Sequence, residues 1–413
     1  MSEVTVRKSE LKGSIKAPAS KSYTHRAIIC ASLAEGNSKI INFLDCDDTW
    51  ETVDALRKFG IGINEADGAL NVSGSKLKAP EEPVELGASG TTYRFLLPLA
   101  AIAEGETKIQ VKGRLAERPI EPLLDALRQL GIEIKAEGNS IIINGNGKIE
   151  GGKVRIPGDV SSQFISGLLF IAPLAEKGIE IELTTALESK PYVDMTISVM
   201  KEFGIKADGL RVGGGQSFKA MDYEVEGDYS SAAFLLAAGA INGGVEITGL
   251  NPESVQGDRR IVEILKRMNS EIEINGNSIK TKTSNLKGID IDVKDIPDMV
   301  PILSVLGCFA DGETRILSAG RLRGKESDRL ATMAAELGKM GAAIEERGEG
   351  LMIKNGKLSG AKIDPHNDHR IAMACTVAGL NAEGETVIEN SDCVKKSYPD
   401  FFKDLTKVGA DIT

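Results

Sequence analysis

The sequence predicts an α/β protein of two similar domains, each built from three repeat units, and three observations carry that prediction. A glycine-centred anchor recurs six times at a nearly constant interval along the 413 residues. A second anchor, in which an amphipathic segment ends on Gly or Asn, follows each first one after 24 to 29 residues. A β-rich stretch of alternating apolar and polar residues comes next. A unit of about 70 residues cannot bury both faces of its sheet and helices alone, so six units divide into two groups of three. Two barrels and two sandwiches satisfy this pattern equally, and it leaves the point of division open.

In chain order the first anchors are AEGNSKI (34–40), AEGETKI (103–109), EKGIEIE (176–182), NGGVEIT (242–248), ADGETRI (310–316) and AEGETVI (382–388). Each ends a small-residue apolar helix and opens a strand. Their glycines Gly36, Gly105, Gly178, Gly244, Gly312 and Gly384 lie 69, 73, 66, 68 and 72 residues apart. The second anchors are LRKFG (56–60), LRQLG (127–131), MKEFG (200–204), LKRMN (265–269), LGKMG (337–341) and LTKVG (405–409). Each puts a basic residue in a last helical turn, where the dipole favours a cation, and Gly or Asn just beyond it, where a positive φ is needed. Stretches such as IEIKAEGNSIIING (132–145) then read as strand pairs around Gly-Asn turns. Each unit reads helix, strand, helix, strand pair. The 45 glycines, against only 14 prolines, are the turns and caps of these units.

With 50 basic and 60 acidic side chains the formal charge is −10. That balance disfavours nucleic acid and anionic membranes as partners and, taken alone, an anionic substrate. The five cysteines are widely spaced and form no CxxC pair. Four of them sit among apolar or small neighbours and read as buried thiols, which points to a reducing compartment. Residues 1–19 have no apolar core of signal-peptide length, and the apolar stretches 164–175 and 299–310 fall short of the ~18 residues of a membrane span. The expectation is a cytoplasmic protein.

Cations recur where strands give way to helices. Ser20 is placed to cap a helix whose first turn holds Lys21 and Ser22, with Arg26 one turn on, a seat for phosphate or carboxylate. Gly87 to Arg94 is a glycine turn with hydroxyls and an arginine. Arg118 precedes a proline-started helix. Ser161, Ser162 and Gln163 stand at another helix start, and Ser189 and Tyr192 at a further one. Later come Lys325, Glu326 and Arg329, with Lys325 and Arg329 one helical turn apart, then His369 and Arg370, then Lys396. Asp298, before an apolar helix, reads by itself as an N-cap. GRLRGKE lacks the spacing and the hydroxyl of a P-loop. If two three-unit domains face each other, these junctions would line one positive cleft suited to small polyanions inside a net-acidic protein.

Ten strings in this order, PASKSYTHRA, GASGTTYRF, ERPIEPLLDAL, GDVSSQFISGLL, SKPYVDMT, GDYSSAAF, IPDMVPIL, GKESDRL, NDHRIAMA and CVKKSYPDF, resemble the 5-enolpyruvylshikimate-3-phosphate synthase family of enolpyruvyl transferases, from Lys21 to Phe401. The resemblance implies two domains of three βαβαββ units each, an inverse α/β barrel, divided as 1–19 plus 229–413 and 20–228, with the active site in the cleft between them. It implies transfer of the enolpyruvyl group of phosphoenolpyruvate to the 5-hydroxyl of shikimate 3-phosphate by a monomer, without metal or other cofactor.

Carried over motif by motif, it makes Asp298 the base and Glu326 the proton donor, with Lys21 assisting. Shikimate 3-phosphate would touch Lys21, Ser22, Arg26, Ser161, Ser162, Gln163, Ser189, Tyr192, Asp298 and Lys325. Phosphoenolpyruvate would touch Lys21, Gly90, Arg118, Gln163, Arg329, His369, Arg370 and Lys396. Three positions depart from the family. Ala88 stands where many members have Asn, so that turn lends backbone only. Arg321 stands where some have Asn at the shikimate phosphate, and Phe95 where others have proline. The sister transferase acting on UDP-N-acetylglucosamine carries a cysteine before the arginine of its RP pair, whereas KGRLAERP (112–119) has none. A non-catalytic clamp built from repeats would not need carboxylates set among cations.

Overall fold

Whether a segment is apolar on all sides or on one decides its layer. The computed structural model of the chain describes residues 2–87 and 89–413, and Ala88, with the backbone contact expected of it, lies outside the described residues. The chain divides into two compact units, Met1–Pro18 with Glu226–Thr413, and Ala19–Val225. Each has its own apolar core.

In the unit 19–225 the helices are α1 (Lys21–Leu33), α2 (Asp47–Lys58), α3 (Gly90–Ile102), α4 (Glu121–Gln129), α5 (Ser162–Ile171) and α6 (Lys190–Glu202). The odd-numbered ones bury 11 of 13, 11 of 13 and 9 of 10 residues, so they are inner helices. The even-numbered ones bury 6 of 12, 4 of 9 and 5 of 13 and are amphipathic covers. The other unit repeats the scheme with α7 (Tyr229–Ile241), α8 (Ile261–Arg267), α9 (Val300–Phe309), α10 (Arg329–Lys339), α11 (His369–Gly379) and α12 (Phe401–Lys407). There α7, α9 and α11 bury 11 of 13, 9 of 10 and 11 of 11 residues. No helix among the described residues is long and apolar enough to cross a membrane.

Six four-stranded sheets, three to a unit, form among the described residues. In one of them Val84–Leu86 runs parallel to Glu104–Val111, which is antiparallel to Ser140–Asn146, which pairs in turn with Glu133–Glu137. The other five sheets have the same order of one parallel and two antiparallel pairings. The unit is therefore strand, helix, strand, helix, two strands. The leading strand is absent from the helix-first reading of the pattern because it is only two to six residues long.

Two leading strands are exchanged where the chain passes from one unit to the other. Leu11–Lys16 precedes α1 in sequence but pairs with Gly243–Thr248, and Asp222–Glu224 precedes α7 but pairs with Gly36–Ile41. The last sheet is completed by the chain's first strand, Val4–Arg7, between Glu385–Ile388 and Asp411–Ile412.

The second anchors behave as their chemistry demands. Gly60, Gly131, Gly204, Asn269, Gly341 and Gly409 all have positive φ, between 67° and 105°. In the fourth unit the positive φ near the first anchor lies at Gly243 (131°), one residue before Gly244.

Gly145 has a different reason to be glycine. A β-carbon there would lie 2.1 Å from the carbonyl oxygen of Ala103 at the end of α3, a backbone group that cannot yield. Gly145→Ala should therefore cost about 3 kcal/mol. Gly131→Ala meets open space and only the left-handed backbone, so it should cost about 1 kcal/mol. Equal losses in denaturant titrations would contradict this distinction.

Candidate active site

Serine hydroxyls begin the three inner helices of the unit 19–225. Ser20 accepts from the Tyr23 N–H at 3.5 Å, Ser89 from Thr92 at 3.2 Å and Ser161 from Gln163 at 3.3 Å. These caps are neutral, so the positive ends of α1, α3 and α5 keep their pull on anions. In those first turns stand Lys21 and Ser22, Gly90, and Ser162 with Gln163. Side chains lock the starts together. Gln163 Nε2 donates to Thr91 Oγ1 at 2.9 Å, while His25 Nδ1, Thr52, Thr92 and Ser89 form a buried run with spacings of 2.8, 2.6 and 2.7 Å. Burial first, and then the charges of Lys21 and Arg26, hold the His25 imidazole well below its ordinary pKa, so it is neutral. Lys21 Nζ pairs with Asp48 Oδ2 at 2.7 Å.

Arg26 and Arg94 are fasteners. Arg26 is 2 % exposed and donates to the Ser22 carbonyl (2.8 Å), the Tyr192 carbonyl (2.9 Å) and Thr196 Oγ1 (2.8 Å), tying α1 to the start of α6. Burial lowers its pKa to about 10. Arg94 donates to the carbonyls of Gly90 (3.0 Å) and Pro119 (3.2 Å), which holds the segment carrying Arg118 against the start of α3. A β-carbon on Gly90 would lie 2.6 Å from Nη1 of both Arg118 and Arg94, so the missing side chain is what lets the two guanidinium groups approach this helix end. Ser189 sits in the left-handed region (φ 53°) at the start of α6, with Tyr192 in the first turn.

The other unit gathers Asp298, Lys325, Glu326, Arg329, Asp368 and Arg370. Asp298 lies on the turn Pro297–Met299, and α9 has no side-chain cap, which corrects the N-cap reading. Its carboxylate instead meets Arg329 Nη1 at 2.9 Å, Arg370 Nη2 at 3.0 Å and Lys325 Nζ at 3.8 Å. Burial works against its charge, but Arg370, Lys325 and Arg329 prevail and hold it well below the usual carboxylate range. Lys325 and Arg329 do not share a helix, as their spacing suggested. Lys325 is extended, and α10 starts at Arg329 with Asp328 as its cap. The Arg329 guanidinium, 1 % exposed, also bonds Glu326 Oε2 (2.9 Å) and Asp368 (2.8 and 3.3 Å). Burial opposes its charge too, and the three carboxylates more than offset it, raising its pKa.

Asp368 caps α11, accepting from the Arg370 N–H at 3.0 Å, and is fully buried. His369 is 2 % exposed in the first turn of that helix, and Lys396 donates to the Asn367 carbonyl at 2.7 Å. Arg321 donates to the Lys294 carbonyl. Asp48 and Asp368 are the acids that motif reading passed over. Among the described residues no three His, Cys, Asp or Glu side chains form a metal-holding group.

Removing one partner of a buried ion pair leaves an uncompensated charge. Asp368→Ala should lower stability by about 3 to 5 kcal/mol. Asp54→Ala, which breaks the exposed pair with Arg57, should cost under about 1 kcal/mol. Chemical denaturation of both variants checks the contrast.

The sequence matches the family described as EPSP synthase (3-phosphoshikimate 1-carboxyvinyltransferase) over residues 6–405. It is 47% identical over 416 residues to the 3-phosphoshikimate 1-carboxyvinyltransferase of Methanocaldococcus jannaschii, covering 97% of each chain. It is 42% identical over 420 residues to that of Clostridium kluyveri, covering 100% of this chain and 98% of the relative. The fold matches a solved EPSP synthase of Acinetobacter baumannii with TM-score 0.84 at 28% identity, covering 100% of both chains. It also matches the enolpyruvyl transferase NikO of Streptomyces tendae with TM-score 0.84, at 19% identity and over 100% and 98% of the chains, a likeness of fold. Helix ends dressed with hydroxyls and cations, a carboxylate held by two arginines, and these full-length likenesses agree: the chain belongs to the EPSP synthase family.

Proposed function

We propose that this protein transfers the carboxyvinyl group of phosphoenolpyruvate to the 5-hydroxyl of 3-phosphoshikimate and releases phosphate. Family membership gives the reaction, and the Asp298 cluster is the observation within the fold that carries it. The attacking hydroxyl must lose a proton while C3 of phosphoenolpyruvate gains one. The hydroxyl oxygen bonds to C2, giving a tetrahedral ketal. C3 then gives up a proton as the C2–O bond to phosphate breaks, so the double bond re-forms and protons balance.

Asp298 is the base of this scheme. Paired with Arg370 and Arg329 it is a weak one, because every nearby cation stabilises its charge. A phosphate or carboxylate that takes Arg370 or Lys325 as its partner withdraws that support and raises the basicity of Asp298 when substrate is in place. Glu326, bonded to Arg329 and with its side chain 23% exposed, supplies the proton to C3. Lys21 assists at the departing phosphate.

Lys21, Ser22, Ser161, Ser162, Gln163, Ser189 and Tyr192 hold 3-phosphoshikimate, with Arg26 fixing Tyr192 from beneath and Asp298 and Lys325 completing the set. Phosphoenolpyruvate takes Lys21, Gly90, Arg118, Gln163, Arg329, His369, Arg370 and Lys396. Arg329 joins by exchanging one of its carboxylate bonds.

The five cysteines are buried and unpaired, in keeping with a reducing cytoplasm.

Phosphate release from phosphoenolpyruvate by the purified protein should depend on 3-phosphoshikimate, and no release in its presence would overturn the proposal. Glu326→Gln should keep both substrates bound while turnover falls ~10²-fold or more, as for a lost general acid. Near-normal turnover would remove Glu326 from that role. Arg118→Ala should weaken phosphoenolpyruvate binding by about 1.5 to 3 kcal/mol, the size of a lost charged hydrogen bond. Equilibrium titration checks it, and unchanged affinity would place Arg118 outside the site.

A further inference from the structure

Residues 254–258 (SVQGD) clasp the start of α7. Gln256 donates to the Gly227 carbonyl (2.8 Å) and Glu226 Oε1 (2.7 Å) and accepts from the Tyr229 N–H (3.0 Å), while Ser254 bonds Glu226. The clasp delivers Asp258 to a place that gives a charged carboxylate little support. Asp258 is 2 % exposed, accepts one hydrogen bond from Ser230 Oγ at 2.5 Å, and has no partner for its other oxygen, Oδ1. Among the described residues no ion pair reaches it.

Three charges on other elements bear on it. Asp298, on the turn before α9, and Asp228, at the start of α7, oppose a negative charge there, while Arg370 of α11 favours one. Burial is the largest influence and, with the two aspartates, outweighs Arg370 and the Ser230 bond. The Asp258 carboxyl is pushed up to about 7.

We propose that Asp258 is a positioning residue that takes up a proton from solvent when an anion engages Arg370 and returns it when the anion leaves, so that Asp298 stays ionised throughout. The step is a carboxylate becoming a carboxylic acid, with bulk water as the source and sink of the proton. Its logic is competitive. Negative charge arriving at Arg370 raises the proton affinity of every carboxyl within reach, and the one already nearest neutrality accepts first. Asp298, held far lower by its arginines, is spared and remains able to act as a base. This inference rests on Arg370 binding phosphoenolpyruvate, as proposed above.

Two measurements on the full chain test it. The first needs no ligand. A carboxyl whose native proton affinity exceeds its unfolded one makes the native state less stable as pH rises from about 4 through about 7. Asp258→Asn keeps the Ser230 contact but cannot ionise, so its melting temperature should gain on the wild type between pH 5 and pH 8. A constant difference would overturn the titration.

The second is calorimetry with phosphoenolpyruvate alone, at pH 7.5, in buffers of different ionisation enthalpy. Wild type should take up about half a proton per ligand, and Asp258→Asn should take up almost none. Ser230→Ala, which removes the donor that favours the charged form, should move the uptake to higher pH. Binding with uptake that survives Asp258→Asn, or a window that Ser230→Ala leaves in place, would overturn the coupling alone. No binding at all would overturn the assignment of Arg370 and the coupling with it.

Discussion

A helix that is apolar on every side has only its two ends left for polar groups, and α1, α3, α5, α7, α9 and α11 are such helices. Their first turns must be satisfied where they emerge from the core, and the way each is satisfied sets the chemistry around it. In the unit 19–225 the caps are serines, which fill a hydrogen bond and add no charge. In the other unit α7 and α11 are capped by Asp228 and Asp368, and α9 has no side-chain cap. One unit therefore presents helix ends that draw anions. The other presents carboxylates that must be balanced by arginine.

Balancing them inside protein fixes positions more tightly than a surface pair can. Arg329 cannot lie at 1 % exposure without acids around it, and four hydrogen bonds from its guanidinium reach Asp298, Glu326 and Asp368 together. Because Asp368 also begins α11 and Asp298 sits just before α9, one guanidinium sets the spacing of two inner helices and of Glu326. Rigidity of this kind suits groups that must meet reacting atoms within a fraction of an ångström. The net charge of −10 says nothing of this, since it sums a surface rich in exposed ion pairs with the buried cluster around Arg329.

The repeat was legible because a helix end with positive φ has few solutions. Gly60, Gly131, Gly204, Asn269, Gly341 and Gly409 are all in that state. The leading strands were not legible. Asp222–Glu224 is too short to alternate, and its partner Gly36–Ile41 lies far back in the chain. Candidate site residues stand where types cluster along the sequence, as in Lys325-Glu326 and His369-Arg370. Asp368 lay inside one of those strings and was overlooked, because an acid at a helix start reads as a cap. It is one, but its second partner, Arg329, is 39 residues away. How deep each cation lies was not legible, for a related reason. Burial is a property of the fold, and Arg26, Arg94 and Arg329 turn out to hold their own chain.

The first strand completes the last sheet, and there Thr5 and Thr413 exchange backbone hydrogen bonds of 2.7 and 3.0 Å. Thr5 and Thr413 are thus neighbours, and the discontinuous unit is interrupted only in the written order of its sequence. On a circular map, 226 to 413 followed by 2 to 18 is one unbroken arc, as 19 to 225 already is.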